Sequence, residues 1–239
     1  MSAPLEIHIA RKTYRGAEGG TVEAVRGLDL KAAAGSLTAL IGPSGCGKTT
    51  SLRILAGLDT DFEGRIVLAK EARVGIVFQE PRLLPWRTVD DNVRLVLDKP
   101  DLFDPAPLFE ELGLAEMRNR FPTELSLGLA RRVAIARALA IEPDVLLLDE
   151  PFTSLDETTA QRLRHLVVEI WRRYRPTTLM VTHNVREAIQ IAERIVLLAP
   201  RPSHVVAEVM LDLPQEERDE AYVEAKRTEM VRDWPGLVA

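Results

Sequence analysis

The sequence predicts a layered α/β fold: a β-rich N-terminal part, a parallel-sheet core and an inserted helical subdomain. Three observations predict it. Strand and helix patterns alternate through the second half, the order that builds a parallel sheet. An apolar strand pattern, 36–41, runs straight into a glycine-rich loop and then a helix pattern. Between them, Pro81, Pro85, Pro100, Pro105, Pro107 and Pro122 break the chain into short helical stretches.

The bulk numbers agree with that class and exclude others. The chain has 239 residues, 46% hydrophobic and 28% charged, enough apolar material for one large domain core. A net charge of −5 argues against a dedicated nucleic-acid binder, which carries a basic surface. The single cysteine, Cys46, excludes an internal disulfide and points to a reducing compartment. Residues 1–10 lack the apolar core of a signal peptide. No stretch approaches the roughly 18 apolar residues of a membrane-spanning helix. There is no internal repeat and no low-complexity segment.

Taken in order, Leu5–Ile9 and Val25–Leu30 alternate as short strands do. A helix is expected from Lys48 to about Ala56, ended by Gly57. Arg65–Leu68 and Val74–Phe78 read as strands, followed by the insert. Gly128–Ala140 is an Ala- and Arg-rich helix stopped before Pro143. Val145–Leu148 is fully apolar, as a central parallel strand should be. Leu163, Leu166, Val167, Ile170, Trp171 and Tyr174 recur at three and four, marking one face of a long helix. Thr178–Thr182, Val185–Ala192 and Arg194–Leu198 then read as strand, helix and strand. The charge density rises from Gln215, and the segment reads as a solvated helical tail. The expected organisation is one domain over 1–213, with the helical subdomain at about 80–140, and a charged C-terminal tail over 214–239.

Gly42-Pro43-Ser44-Gly45-Cys46-Gly47-Lys48-Thr49 matches G-x-x-x-x-G-K-[ST] at every fixed position. Glycines let successive main-chain N–H groups converge on phosphate oxygens, and the next helix aims its positive end at the same anion. Lys48 supplies a point charge for the β- and γ-phosphates, and the Thr49 hydroxyl can ligate Mg2+. A chance glycine turn would lack the strand before and the helix after. Cys46 fills a variable position and reads as a bystander, not a redox switch. Downstream, Leu146-Leu147-Leu148-Asp149-Glu150 is a strand ending in two carboxylates that point to opposite sides. With a phosphate loop upstream, Asp149 would hold Mg2+ and Glu150 would polarise an attacking water. Two acids simply capping a strand is the plainer alternative. No His/Cys grouping suggests a zinc site.

Gly42 through Thr50, Gln79, Leu125-Ser126-Leu127-Gly128, Leu148-Asp149-Glu150-Pro151, Ser154-Leu155-Asp156 and Thr182-His183 stand in the order found in ATP-binding-cassette (ABC) ATPases. The chain resembles that family from Tyr14 to about Leu198. The resemblance implies a P-loop NTPase fold of the cassette type, with ATP and Mg2+ as cofactors. It implies that Tyr14 stacks on adenine, that Thr50 belongs with the phosphate loop, and that Gln79 touches Mg2+ and the water. His183 would contact the γ-phosphate. Ser126 and Gly128 would contact the γ-phosphate bound by a second copy of the chain, and Asp156 would cross the same interface. The family usually has two glycines after the serine and then a polar residue; here Leu127 and Leu129 depart from that pattern. Ser126 is a good helix N-cap, so the segment should start as ordinary helix with Leu127 turned away from the nucleotide.

The stretch from Phe78 to Val89 is similar to that of nitrate, sulfonate and taurine importer ATPases, as is Arg201-Pro202-Ser203. Leu83, Leu84 and Trp86 read either as a core plug or, with the resemblance, as a docking surface for a permease. The implied protein is an ATP-hydrolysing importer subunit, peripheral on the cytoplasmic face of the inner membrane. Its partners would be permease subunits, a second copy of itself and, indirectly, a solute-binding protein, with no nucleic acid. The competing readings are a soluble cassette ATPase acting on nucleic acid or ribosomes, and a scaffold that binds ATP without turnover. The first usually carries tandem cassettes, long insertions or basic arms; none is visible. Intact Glu150 and His183 speak against the second.

Overall fold

Two long antiparallel strands open the chain in the computed structural model, which describes residues 2–15 and 19–238. They are β1 (Leu5–Arg15) and β2 (Thr21–Ala32), and both run further than their apolar alternation predicts because polar residues continue the ladder. β3 (Leu37–Ile41) is buried throughout and leads through the glycine loop into α1 (Lys48–Leu55). β4 (Glu63–Val67) returns to pair with β1, giving a three-stranded sheet in the order β2-β1-β4. β5 (Val74–Val77) enters the second sheet.

The insert follows. It contains α2 (Val89–Arg94), α3 (Ala106–Glu111) and short 3-10 turns at 100–102, 115–117 and 122–124. Thr88 and Asp91 cap α2 reciprocally, which fixes its start despite its length of six residues. Leu83 packs against the core, whereas Trp86 is 71% exposed, so Trp86 is not a core plug.

The remaining elements are α4 (Leu127–Leu139), β6 (Val145–Asp149), α5 (Glu157–Tyr174), β7 (Thr177–Thr182), α6 (Val185–Ile191), β8 (Arg194–Leu198), β9 (Val205–Met210) and α7 (Glu220–Asp233). The six-stranded sheet has the order β5-β6-β7-β3-β8-β9, parallel except for β9. Its central strands are apolar on both faces, and the pleat divides them between two cores. Leu37, Ala39, Ile41, Leu146 and Leu148 join α4, α5, α6 and α7 on one side. Leu40, Val145, Leu147, Leu179 and Val181 join α1 and the N-terminal sheet on the other. Each fully buried aliphatic side chain contributes roughly 1.5–3 kcal/mol.

Two expectations are corrected. Tyr174 ends α5 half-exposed, donating to Glu111, and does not continue the buried face of Leu163, Ile170 and Trp171. The charged segment after 214 is not a solvated tail. Val223 and Met230 of α7 are buried in the main core. Arg218 donates to the carbonyls of Ile189 and Ala192 at the end of α6. Two apolar residues seven positions apart on a charged helix give too sparse a period to read. β9 was not expected either: only Val209 of it is buried.

Candidate active site

The phosphate loop sits at the C-terminal end of β3, where the parallel strands point toward α1. Gly47 has φ 114°, and a Cβ there would stand 3.0 Å from the Ala24 carbonyl, so both conformation and space require glycine. Lys48 is buried and curls back over the loop, donating to the carbonyls of Gly42 (2.7 Å) and Pro43 (3.1 Å). Cys46 is buried beneath the loop. A cavity of about 340 Å3 opens over it, lined by Ser44, Gly45, Gly47, Lys48, Thr49 and Thr50. Gln79, Glu150, His183 and Arg201 complete its wall. A larger cavity, about 830 Å3, lies elsewhere, between Trp171 on α5 and residues 210–218, and contains none of these groups.

The two acids have separate partners, although Glu150 lies just beyond β6 and its direction is set by a left-handed turn, not by strand alternation. Asp149 is buried, and its Oδ1 accepts from the Thr49 hydroxyl at 3.1 Å. Burial pushes its carboxyl above the ordinary value, while the Thr49 hydrogen bond pulls the other way. Glu150 has φ 49°, an unusual value for a non-glycine residue. Its N–H donates to the Val181 carbonyl, and its Oε2 accepts from Thr153 Oγ1 (2.8 Å) and lies 2.5 Å from His183 Nδ1. His183 follows β7 on the tight turn into α6, so β6 and β7, adjacent in the sheet, bring the pair together.

Tyr14 stands at the far end of β1, 39% exposed. Its hydroxyl donates to Asp59 Oδ2 (2.9 Å) and reaches Thr50 Oγ1 (3.4 Å). The buried Lys12 ammonium lies 4.6 Å from the ring centroid, a cation–π contact, and donates to Asp59 Oδ1 (2.7 Å). Burial raises the Asp59 carboxyl, but the Lys12 and Tyr14 hydrogen bonds outweigh it and hold the pKa below its ordinary value. The ring is thereby fixed beside α1, with one face occupied by Lys12.

Ser126, Gly128 and Asp156 do not line the cavity. Ser126 caps α4, accepting from Leu129 N–H (3.3 Å), and Asp156 caps α5, accepting from Thr159 N–H (3.0 Å). Both are exposed, and Gly128 between them is buried.

Two residues carry no motif of their own. Arg131 of α4 is buried and donates to the carbonyls of Glu150 (3.0 Å), Pro151 (2.7 Å) and Thr153. It grips the strained peptide that carries Glu150. Glu187 of α6 is buried below His183, accepting from the Thr182 hydroxyl at 2.9 Å. The available signal was charge: each interrupts an otherwise apolar helix face. Among the described residues no group of three or more His, Cys, Asp or Glu could hold a metal ion.

A glycine loop with a lysine folded over it and a carboxylate–imidazole pair on the same cavity wall can hold a nucleoside triphosphate and direct water at its last phosphorus. Fold and site define a P-loop nucleoside triphosphatase. The sequence model described as ABC transporter matches residues 25–153, and the chain belongs to the ABC transporter family. It is an ATPase of the cassette type and binds ATP. It is 43% identical over 225 residues to the aliphatic sulfonates import ATP-binding protein SsuB 2 of Burkholderia cenocepacia (strain HI2424), covering 90% of this chain and 82% of that one. It is 37% identical over 237 residues to the aliphatic sulfonates import ATP-binding protein SsuB of Bacillus cereus, covering 94% of each. Among solved structures it resembles a dimeric post-hydrolysis state of the ATP-binding cassette MJ0796 bound to ADP and Pi. That match has a TM-score of 0.73 and 29% identity, covering 88% of this chain and all of that one.

Proposed function

We propose that the chain is the nucleotide-binding subunit of an importer for sulfonate-like organic anions, working as a pair of identical copies beneath a separate permease. The Glu150–His183 pair over the phosphate loop carries the hydrolytic part of this reading. Glu150 is the general base: its carboxylate takes the proton of the attacking water, and His183 orients that carboxylate and meets the γ-phosphate. Lys48 and the loop N–H groups bind the phosphates, and Tyr14 offers its free face to adenine.

Mg2+ fits the oxygen donors present. The Thr49 hydroxyl and Asp149 carboxylate already face one another, and both line a small cavity of about 220 Å3 together with Gln79. So few protein ligands suit a cation that keeps phosphate and water in its shell. When bound, it neutralises phosphate charge.

Ser126, Gly128 and Asp156 serve the nucleotide of the second copy, which accounts for their place outside this chain's own cavity. Trp86, standing out from the insert, is the permease contact, and the permease and a solute-binding protein select the solute. Held to the permease by that contact, the subunit acts peripherally, at the cytoplasmic face of the inner membrane. No helix among the described residues is long and apolar enough to cross a membrane. The relatives' names support the sulfonate class.

Glu150→Gln tests the chemistry: ATP binding should persist while turnover falls by about 10²–10⁴-fold or more. Near-normal turnover would remove Glu150 from the mechanism. Uptake of alkanesulfonates by vesicles containing the co-purified permease tests the substrate class.

A further inference from the structure

We propose that Arg201 is a positioning residue for the phosphate loop: it holds the Gly45 carbonyl on the outer wall of the cradle and adds its own charge to the field on the polyphosphate. The proposal rests on reading 42–49 as that cradle. β8 ends at Leu198 and β9 begins at Val205. The turn between them is pinned from two sides. Ala199 N–H donates to the His204 carbonyl (2.9 Å), closing the hairpin. Ser203 N–H donates to the Ala24 carbonyl (3.0 Å) and Arg26 N–H to the Ser203 carbonyl (3.1 Å), tying the turn to β2.

From this base Arg201 reaches the phosphate loop. Its Nε and Nη2 both donate to the Gly45 carbonyl, at 3.1 and 2.8 Å. Gly45 has φ 75°, and the next N–H, of Cys46, is taken by the Pro43 carbonyl at 3.2 Å. The Gly45–Cys46 peptide is therefore turned with its oxygen toward the guanidinium. Were that oxygen to swing inward, its lone pairs would oppose phosphate oxygens. Two guanidinium donors on one carbonyl hold it out, a geometry that a planar fork satisfies and an ammonium does not.

Arg201 also lines the same cavity as Lys48 and Thr49, and among the described residues no carboxylate pairs with it. Its charge is left for an anion in the cavity. Because β2 pairs with β1, the same turn fixes the phosphate loop relative to the strand that carries Tyr14.

The test uses the full chain, with Arg201→Ala, Arg201→Lys and, as a control, Lys48→Ala. ATP affinity is measured by calorimetry under non-hydrolysing conditions, alongside turnover at saturating ATP and melting of the nucleotide-free protein. Arg201→Ala should weaken ATP binding on the order of tenfold, with the lysine variant intermediate. Saturated turnover should change by less than about threefold, and free guanidinium should restore part of the lost affinity. An unchanged ATP affinity in Arg201→Ala, a loss confined to saturated turnover, or a melting temperature lowered in step with affinity would each overturn the proposal. If Lys48→Ala itself binds ATP normally, the cradle reading falls and the proposal with it; a defective Lys48→Ala beside a normal Arg201→Ala overturns the role of Arg201 alone.

Discussion

Glu187 is a carboxylate kept in a place that penalises its charge. Burial pushes its pKa above the ordinary value, while the Thr182 hydroxyl, Arg164 and His183 pull the other way. The native state thus holds this proton more tightly than the unfolded chain does. The contribution of Glu187 to stability is most favourable at low pH and declines as pH rises from the ordinary glutamate value through the raised one. Glu187→Gln removes the charge and keeps an acceptor for Thr182. At pH ~7 the variant should melt at or above the parent temperature, and the gap should close toward pH ~4, where the parent carboxyl is protonated. A glutamine variant that melts lower by the same margin at every pH would refute this account. Lys48, Thr49, Asp149 and Glu150, by contrast, are legible in the sequence because their covalent spacing sets their geometry. Glu187 and Arg131 act through contacts between segments that fold together only in three dimensions, Arg131 reaching 19 and 20 positions to two of its carbonyls.

At the level of elements, the start of α4 explains which of the two glycines usual after the serine this chain can lose. Gly128 is buried against α5, and a Cβ there would fall 2.7 Å from Thr159 Cγ2. Leu127, one position earlier, is 41% exposed on a helix already capped by Ser126. Leucine in the first turn favours the helix over glycine by roughly 0.5–1 kcal/mol. We expect Leu127→Gly to change the maximal ATPase rate by less than about tenfold, equivalent to about 1.4 kcal/mol. Ser126→Arg, which on the proposed reading blocks the second copy's phosphate position, should abolish activity. A much larger gain from Leu127→Gly, measured with the permease present, would mark the leucine as a brake. Element legibility followed burial. β3, β6, β7 and β8 are buried on both faces, and their apolar runs could be read directly. β9 lies at a sheet edge and α7 anchors by two side chains, so tertiary pairing decides both.

For the whole molecule, the parallel core was predictable from the alternation of strands and helices, but the order β5-β6-β7-β3-β8-β9 was not. Apart from the β8–β9 hairpin and the β6–β7 pair joined by α5, each neighbour relation joins segments far apart in sequence. On the proposed reading, Ser126 and Asp156, exposed caps of α4 and α5 outside the cavity over the phosphate loop, serve a second copy's nucleotide, and one copy is an incomplete catalyst. The isolated chain should therefore hydrolyse ATP with a greater than first-order dependence on its concentration. Constant specific activity across a wide dilution series, in a species that light scattering shows to be monomeric, would exclude shared sites. Finally, the only thiol of the 239-residue chain, Cys46, is sealed beneath the phosphate loop. To a maleimide the folded protein is effectively cysteine-free. A spin label or fluorophore can be attached through a cysteine introduced on the outer face of α7, or in place of the exposed Trp86, without first deleting the native one. The distance between two such labels then follows the approach of two copies in real time.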